Sequence, residues 1–488
     1  MKKIGLLSAL LFPGFILLTT ELGGDVTLTR MAAIAAMMAI LWITEAIPLA
    51  ATALIPLVIY PLLGISSTKS VASQYMNSTV FLLIGGFMIA LAMQRWDLHR
   101  RLALTVLLIL GGQPVRLMLG FILATAGLSM WISNTATTLL MLPIALAILA
   151  RYESDLSFSQ MRRFSLGLLL AIAYSASIGG MMTPIGTAPN LVLIRLLEMS
   201  GQSSVNIGFA EWIMMSVPVG ICMLLATSLF LGWRFFKELP GSVDDRTILS
   251  DEKQKLGTVS YEEKVVLLVF VVTACLWISR KGLTIGAFSL PGWQSLIMDA
   301  TLVDDGTVAI AMSLLLFVIP ARSSDKKQDF ILNEQVFKQL PWSVVILFGG
   351  GFALASGFVE SGLSSYLASQ LGGLEEIGKF KMIALVATGM TFLTELTSNT
   401  ATTQLVLPIL QSVANAMDIA PLWLMLPATL SASCAFMLPV ATPPNAIIFG
   451  SGRLHVVDMV KAGLVLNLIG IFVIVVVLGN VLPSLFRI

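Results

Sequence analysis

Residues 131–138 read "WISNTATT", and residues 396–403 read "LTSNTATT", so one polar hexapeptide, Ser-Asn-Thr-Ala-Thr-Thr, recurs 265 positions later. Each copy sits in the middle of an apolar stretch, 117–150 or 382–416. A single helix of 34 residues would be roughly 51 Å long, against a hydrocarbon core of about 30 Å, and it would carry its polar cluster where lipid tolerates it least. Both stretches therefore read as re-entrant hairpins, whose two helical arms enter and leave on the same side and whose polar tip is shielded by protein.

Composition sets the surroundings of these tips. The chain of 488 residues is 57% hydrophobic and 11% charged, with a mean hydropathy of +0.92, whereas soluble domains are about 25% charged. This is the composition of an all-α polytopic membrane protein. The formal charge of +2 is near balance and forms no basic tail or patch, so nucleic acid is not an expected partner. Cys222, Cys275 and Cys434 stand singly in apolar runs and read as small core residues. Lys2 and Lys3 precede an apolar run, but Thr19, Thr20 and Glu21 offer no small-residue cleavage signal, so a retained first span is expected.

Eleven apolar runs read as crossings: 4–20, 28–44, 46–63, 79–95, 165–196, 211–236, 264–280, 306–320, 342–359, 421–449 and 462–484. With the N-terminus inside, 21 of the 29 Lys and Arg fall on the cytoplasmic side, among them Arg95, Arg100, Arg101, Arg162, Arg163, Arg453 and Lys461. That bias favours an inside N-terminus and an outside C-terminus. A polar linker at 237–263 divides the chain into a 1–236 half and a 264–488 half.

The halves repeat each other. At the 265 offset, "LLIGGFMIALAMQRWDL" (82–98) aligns with "LFGGGFALASGFVESGL" (347–363), and Ser129, Ser133, Asn134, Thr135 and Pro143 match Thr394, Ser398, Asn399, Thr400 and Pro408. "LWI" at 41–43 recurs at 276–278, and "TPIGTAPN" (183–190) resembles "PVATPPN" (439–445). Five expected crossings separate the hairpins, an odd number, so the second half is expected to be inverted, with the 117–150 hairpin opening inward and the 382–416 hairpin outward. An inverted repeat with interrupted helices points to a secondary transporter whose site lies near the bilayer midplane.

The tips and breaks suggest what such a site holds. Pro and Gly inside the 165–196 and 421–449 runs break the helix and free backbone carbonyls which, with Ser, Thr and Asn oxygens, suit a hard cation such as Na⁺. The second arm of each hairpin starts at Ser-Asn-Thr, so its free N–H groups and positive dipole end face an anion. Neither tip carries Arg or Lys. The Gly85–Gly86 and Gly349–Gly351 clusters read as close-packing positions rather than ligands. Glu45 and Glu395 are ionisable groups at or near membrane depth, where function is the default suspicion. His99 and His455 are expected in loops and match no metal-ligand spacing, and without a nucleophile and base in a span an enzyme is not expected.

The paired "SNTATT" motifs with following "LP", the "TPIGTAPN" and "ATPPN" breaks, and "LWITEAIPLAATALIP" at 41–56 resemble the divalent anion/sodium symporter family, the sodium-dicarboxylate cotransporters, over essentially the whole chain. The resemblance implies Na⁺-coupled uptake of C4 dicarboxylates such as succinate, malate and fumarate across a bacterial cytoplasmic membrane. It also implies a homodimer whose transport domains move as elevators against a scaffold. Carried over residue by residue, a first sodium site falls on Ser129, Ser133, Asn134 and the carbonyl of Gly186, and a second on Thr394, Thr397, Asn399 and the carbonyl of Ala441. The dicarboxylate falls on Asn134, Thr135, Asn399, Thr400, Thr442 and Pro443. The chain departs from internal symmetry at Ala188, which stands where the second break has Pro443. A sodium-independent dicarboxylate exchanger shares the same resemblance and stays open as the alternative.

Overall fold

The apolar runs fold as helices, and among the described residues eight are long and apolar enough to cross a bilayer, with four shorter apolar helices beside them. The computed structural model describes residues 2–199, 207–237, 239, 246–285, 288–297, 299, 302–322, 330–370 and 378–486. Both polar hexapeptides lie at the turn of a helical hairpin, the first built from Pro114–Ser129 and Asn134–Arg151, the second from Lys379–Thr394 and Asn399–Ala416. The expected crossing at 165–196 is interrupted: Phe158–Met181 ends, the chain runs irregularly, and Ala188–Met199 resumes. The 421–449 run behaves alike, as Leu422–Ala432 followed by Pro443–Phe449.

Several elements differ from the sequence reading. The 46–63 run is not one helix but two, Leu49–Ala53 and Ile55–Leu62, because Pro56 near the second helix's start has no N–H to continue the first. Val26–Thr44 stops just before this pair, where Glu45 takes a left-handed backbone conformation at φ 46°. Leu98–Leu110 forms an unexpected helix that carries His99, which is therefore not in a loop. The linker at 237–263 contains a helix, Arg246–Lys255, and is docked rather than free. Arg101 Nε meets Glu263 Oε1 at 2.8 Å, and the same guanidinium donates to the carbonyls of Leu256 and Gly257, both at 3.0 Å. Linker residues 238 and 240–245, and residues 323–329, whose Lys326 and Lys327 are among the 21 basic residues expected on the cytoplasmic side, lie outside the described residues. An antiparallel strand pair, Gly282–Ile285 with Phe288–Pro291, also escaped the reading. Of the three cysteines only Cys434 is a core residue; Cys222 and Cys275 are exposed on the helix surface.

Glycines let the halves approach each other. Ser78–Arg95 crosses Asp305–Val318 so closely that a Cβ on Gly85 would stand 2.6 Å from the Ala309 Cβ, and a Cβ on Gly350 in Trp342–Glu360 would stand 2.5 Å from the Cα of Ala53. Each Gly-rich helix thus packs on a short helix of the other half, which is why the glycine clusters recur. The repeated "LWI" makes one recurring bond: Trp42 Nε1 donates to the Leu49 carbonyl at 3.1 Å and Trp277 Nε1 to the Asp305 carbonyl at 2.9 Å. Phe158–Met181 is buried along its whole apolar window, packed against both arms of the first hairpin and against Phe209–Leu231.

Candidate functional site

The hairpin turns form because Ser133 and Ser398 leave the helical conformation as N-caps of the second arms. Ser133 Oγ accepts from the Ala136 N–H at 3.3 Å, satisfying one donor of the first turn. Ser398 makes no side-chain cap hydrogen bond, so its helix start keeps its donors for another partner. Behind each turn the same oxygen cluster is built twice. Ser129 Oγ lies 2.6 Å from Asn134 Oδ1 and 2.8 Å from the Ala176 carbonyl oxygen. Thr394 Oγ1 lies 2.5 Å from Asn399 Oδ1 and 3.1 Å from the Ala432 carbonyl oxygen. Ser129 and Thr394 are fully buried. Thr138 and Thr403 then donate to the Asn134 and Asn399 carbonyls at 2.8 and 2.7 Å, which fastens both helix starts alike.

The breaks are stapled by the asparagines that close the "APN" and "PPN" motifs. Asn190 Nδ2 donates to the carbonyls of Gly180 at 3.1 Å and Thr183 at 2.7 Å. Asn445 Nδ2 donates to those of Ala435 at 3.1 Å and Leu438 at 3.0 Å. Both asparagines are fully buried. One amide thus answers two carbonyls that a continuous helix would have satisfied itself. The sequence reading gave these residues no role, although their recurrence at the end of both motifs was the available signal. It likewise missed Gly180, where a Cβ would overlap the Asn134 side chain. The departure at Ala188 proves harmless to the backbone, since a helix starts there just as one starts at Pro443. Thr442 caps the latter, its Oγ1 accepting from the Asn445 N–H at 3.3 Å.

Turns and breaks meet at one cavity of about 1030 Å³. From the first half it is lined by Ser133, Asn134, Thr135, Gly186 and Thr187, and from the second by Thr397, Asn399, Thr400, Ala441, Thr442 and Pro443. Ser129 and Thr394 stand behind this lining, joined to it through their asparagines. Every site residue expected from the sequence therefore converges on one place. Leu83, Phe87, Ile43, Leu49 and Val344 form the apolar wall, and Ile4, Gly5, Ser8 and Glu45 reach the cavity from the end where the chain begins. Among the described residues no Lys or Arg lines it, and Glu45 is the one ionisable side chain that does. The donor set, hydroxyls, amides and carbonyls, suits hard cations held by oxygen and an anion held by N–H and O–H. Among the described residues no group of His, Cys, Asp and Glu could hold a transition metal.

Comparison with known proteins follows this geometry. A family model for the sodium:sulfate symporter transmembrane region matches residues 2–486. The sodium-dependent dicarboxylate transporter SdcS of Staphylococcus aureus is 42% identical over 451 residues, covering 91% of this chain and 84% of that protein. Among solved structures, MtrF of Neisseria gonorrhoeae, from a class of antimetabolite efflux pumps, superposes with a TM-score of 0.54 at 15% identity, covering 84% of this chain and 82% of its own. The YdaH transporter of Alcanivorax borkumensis gives 0.52 at 15% identity, covering 82% and 84%. The two structures speak for the fold alone.

Proposed function

The chain belongs to the sodium:sulfate symporter transmembrane family, a multi-pass membrane transporter and not an enzyme, and from that premise we propose that it carries C4 dicarboxylates into the cell together with Na⁺. The observation that carries this reading is the doubled oxygen cluster, Ser129–Asn134 and Thr394–Asn399, on a single cavity that no Lys or Arg lines among the described residues. A dianion there must draw positive charge from bound ions and from helix starts. In this reading Na⁺ is cargo, held on one side by Ser129, Ser133, Asn134 and the Gly186 carbonyl and on the other by Thr394, Thr397, Asn399 and the Ala441 carbonyl. The substrate lies between them on Asn134, Thr135, Asn399, Thr400, Thr442 and Pro443. The dicarboxylate relative favours a carboxylate over the sulfate of the family's description.

The grouping of the helices supports a reading of the transport cycle. Both hairpins, both broken helices, Phe209–Leu231 and Val456–Phe486 pack on one another, while Ser78–Arg95 packs on Asp305–Val318 and Trp342–Glu360 on Leu49–Ala53. The first group is the carrier body and the second belongs to the scaffold. The carrier slides as an elevator, two inverted repeats joined by the 237–263 linker alternate the site between the two sides, and two scaffolds pair in a homodimer in the bacterial cytoplasmic membrane. Purified protein in liposomes tests the function. Succinate uptake is expected under an inward Na⁺ gradient and not under K⁺ or choline. Equal uptake in choline and sodium overturns the coupling, and uptake of sulfate without succinate overturns the substrate class.

A further inference from the structure

The two halves differ in a buried charge placed directly beside one of the two oxygen clusters. Glu395 follows Thr394 directly and is 3% exposed. Its Oε1 accepts from the Met437 N–H at 2.9 Å and from Asn467 Nδ2 at 2.7 Å, and its Oε2 accepts from the Leu438 N–H at 3.0 Å. Asn467 is fully buried and its Oδ1 accepts in turn from the Phe436 N–H at 3.4 Å. Three N–H donors converge on the group, all of which a carboxylate accepts. The residues it grips lie in the irregular stretch between Leu422–Ala432 and Pro443–Phe449, where the Leu438 carbonyl accepts from the Ala441 N–H at 3.2 Å. The carboxylate and the Ala441 carbonyl therefore share one short run of backbone.

Among the described residues of the first half no such charge stands beside the Ser129–Asn134 cluster. The residue 265 positions before Glu395 is Met130. Counted from the first residue of each long helix, Val456–Phe486 and Phe209–Leu231, Asn467 corresponds to Gly220. Neutral donors hold the first break instead: Trp212 Nε1 to the Met181 carbonyl at 3.1 Å and Ser216 Oγ to the Met182 carbonyl at 2.9 Å.

Resting on the sodium-coupled reading above, we propose that Glu395 makes the two cation positions unequal, so that the Thr394–Asn399–Ala441 position binds Na⁺ more tightly and fills first. Glu395 acts as a positioning residue. It holds the backbone that presents the Ala441 carbonyl and adds a full negative charge behind it, while the Ser129–Asn134–Gly186 position has only partial charges. At an effective dielectric of about 20, a unit charge changes the affinity for an ion by more than tenfold out to roughly 10 Å.

Unfolding temperature of the purified protein, followed against Na⁺ concentration without substrate and with choline as balancing ion, tests this. The native protein is expected to respond in two phases. Glu395→Gln is expected to move the tighter phase at least about tenfold to higher Na⁺ and leave the weaker phase in place. The double variant Glu395→Gln/Asn467→Asp keeps one carboxylate and one amide in the same buried pair and is expected to bring the tighter phase back toward the native value. Equal displacement of both phases, with no return in the double variant, marks a merely structural role and overturns the proposal. Thr394→Ala and Ser129→Ala test the same order with Glu395 intact: the first should remove the tighter phase and the second the weaker, and the reverse overturns the proposal even if Glu395→Gln does not fold. A native protein that does not respond to Na⁺ at all instead sinks the sodium coupling itself.

Discussion

Asn134 and Asn399 each stand at the start of a helix, with Oδ1 turned to a buried hydroxyl and the rest of the residue lining the cavity. In the proposed site each serves a cation and the anion at once, and hydrogen bonds to charged groups are worth about 1.5 to 3 kcal/mol. Asn134→Ala and Asn399→Ala are therefore expected to lower succinate uptake by about tenfold to a hundredfold each, while the yield of folded protein and its ligand-free unfolding temperature change little. Near-native uptake by either well-expressed variant would remove that tip from the site. The pairing of Ser129 with Thr394 was legible in the sequence because the repeat is gapless there. The role of Gly180 was not, because a lone glycine gives no sign of which side chain occupies the space it leaves.

Among the elements, the two broken helices depend on an amide rather than on helix geometry. Asn190 and Asn445 each satisfy two carbonyls at full burial, and leaving a buried polar group unmatched costs about 1–3 kcal/mol. Asn190→Asp and Asn445→Asp preserve volume but set a carboxyl oxygen against the two carbonyl oxygens. Each is expected to lower the unfolding temperature in detergent, measured without substrate, and to weaken transport with it; an unchanged unfolding temperature would show that the staple is not needed. The positions of the breaks could be read from Pro and Gly in apolar runs. The staple could not, since it joins Asn190 to a residue ten positions away across an irregular stretch whose path no local rule specifies.

For the whole molecule, the proposed inversion sets the two hairpins on opposite sides of the membrane. Gln113 and Lys379 stand at the outer ends of the first arms, both exposed, and mark the mouths of the hairpins. Single cysteines placed there, after replacement of Cys222, Cys275 and Cys434, are expected to differ in intact cells: a membrane-impermeant thiol reagent labels position 379 and spares 113. Labelling of both, or of 113 alone, would break the inverted topology.

Periodicity-free apolar runs, two identical polar hexapeptides and paired Pro/Gly breaks were enough to determine the membrane class, both helical hairpins and both interrupted helices, because each reports a local cost: lipid rejects charge and unpaired backbone. What required the tertiary structure is everything set by two segments meeting. Leu98–Leu110 carries Arg100 and Arg101 in its first turn, which the sequence shows only as part of an inner basic cluster, whereas the packed chain shows Arg101 holding Glu263 and the Gly257 carbonyl of the linker. Glu395 was visible only as an anomalous charge in an apolar stretch, and its partners at Met437, Leu438 and Asn467 lie 42 to 72 positions away. A sequence records which groups must find partners, whereas only the packed chain decides which partners they find, because that choice is made by shape and burial among elements distant along the chain.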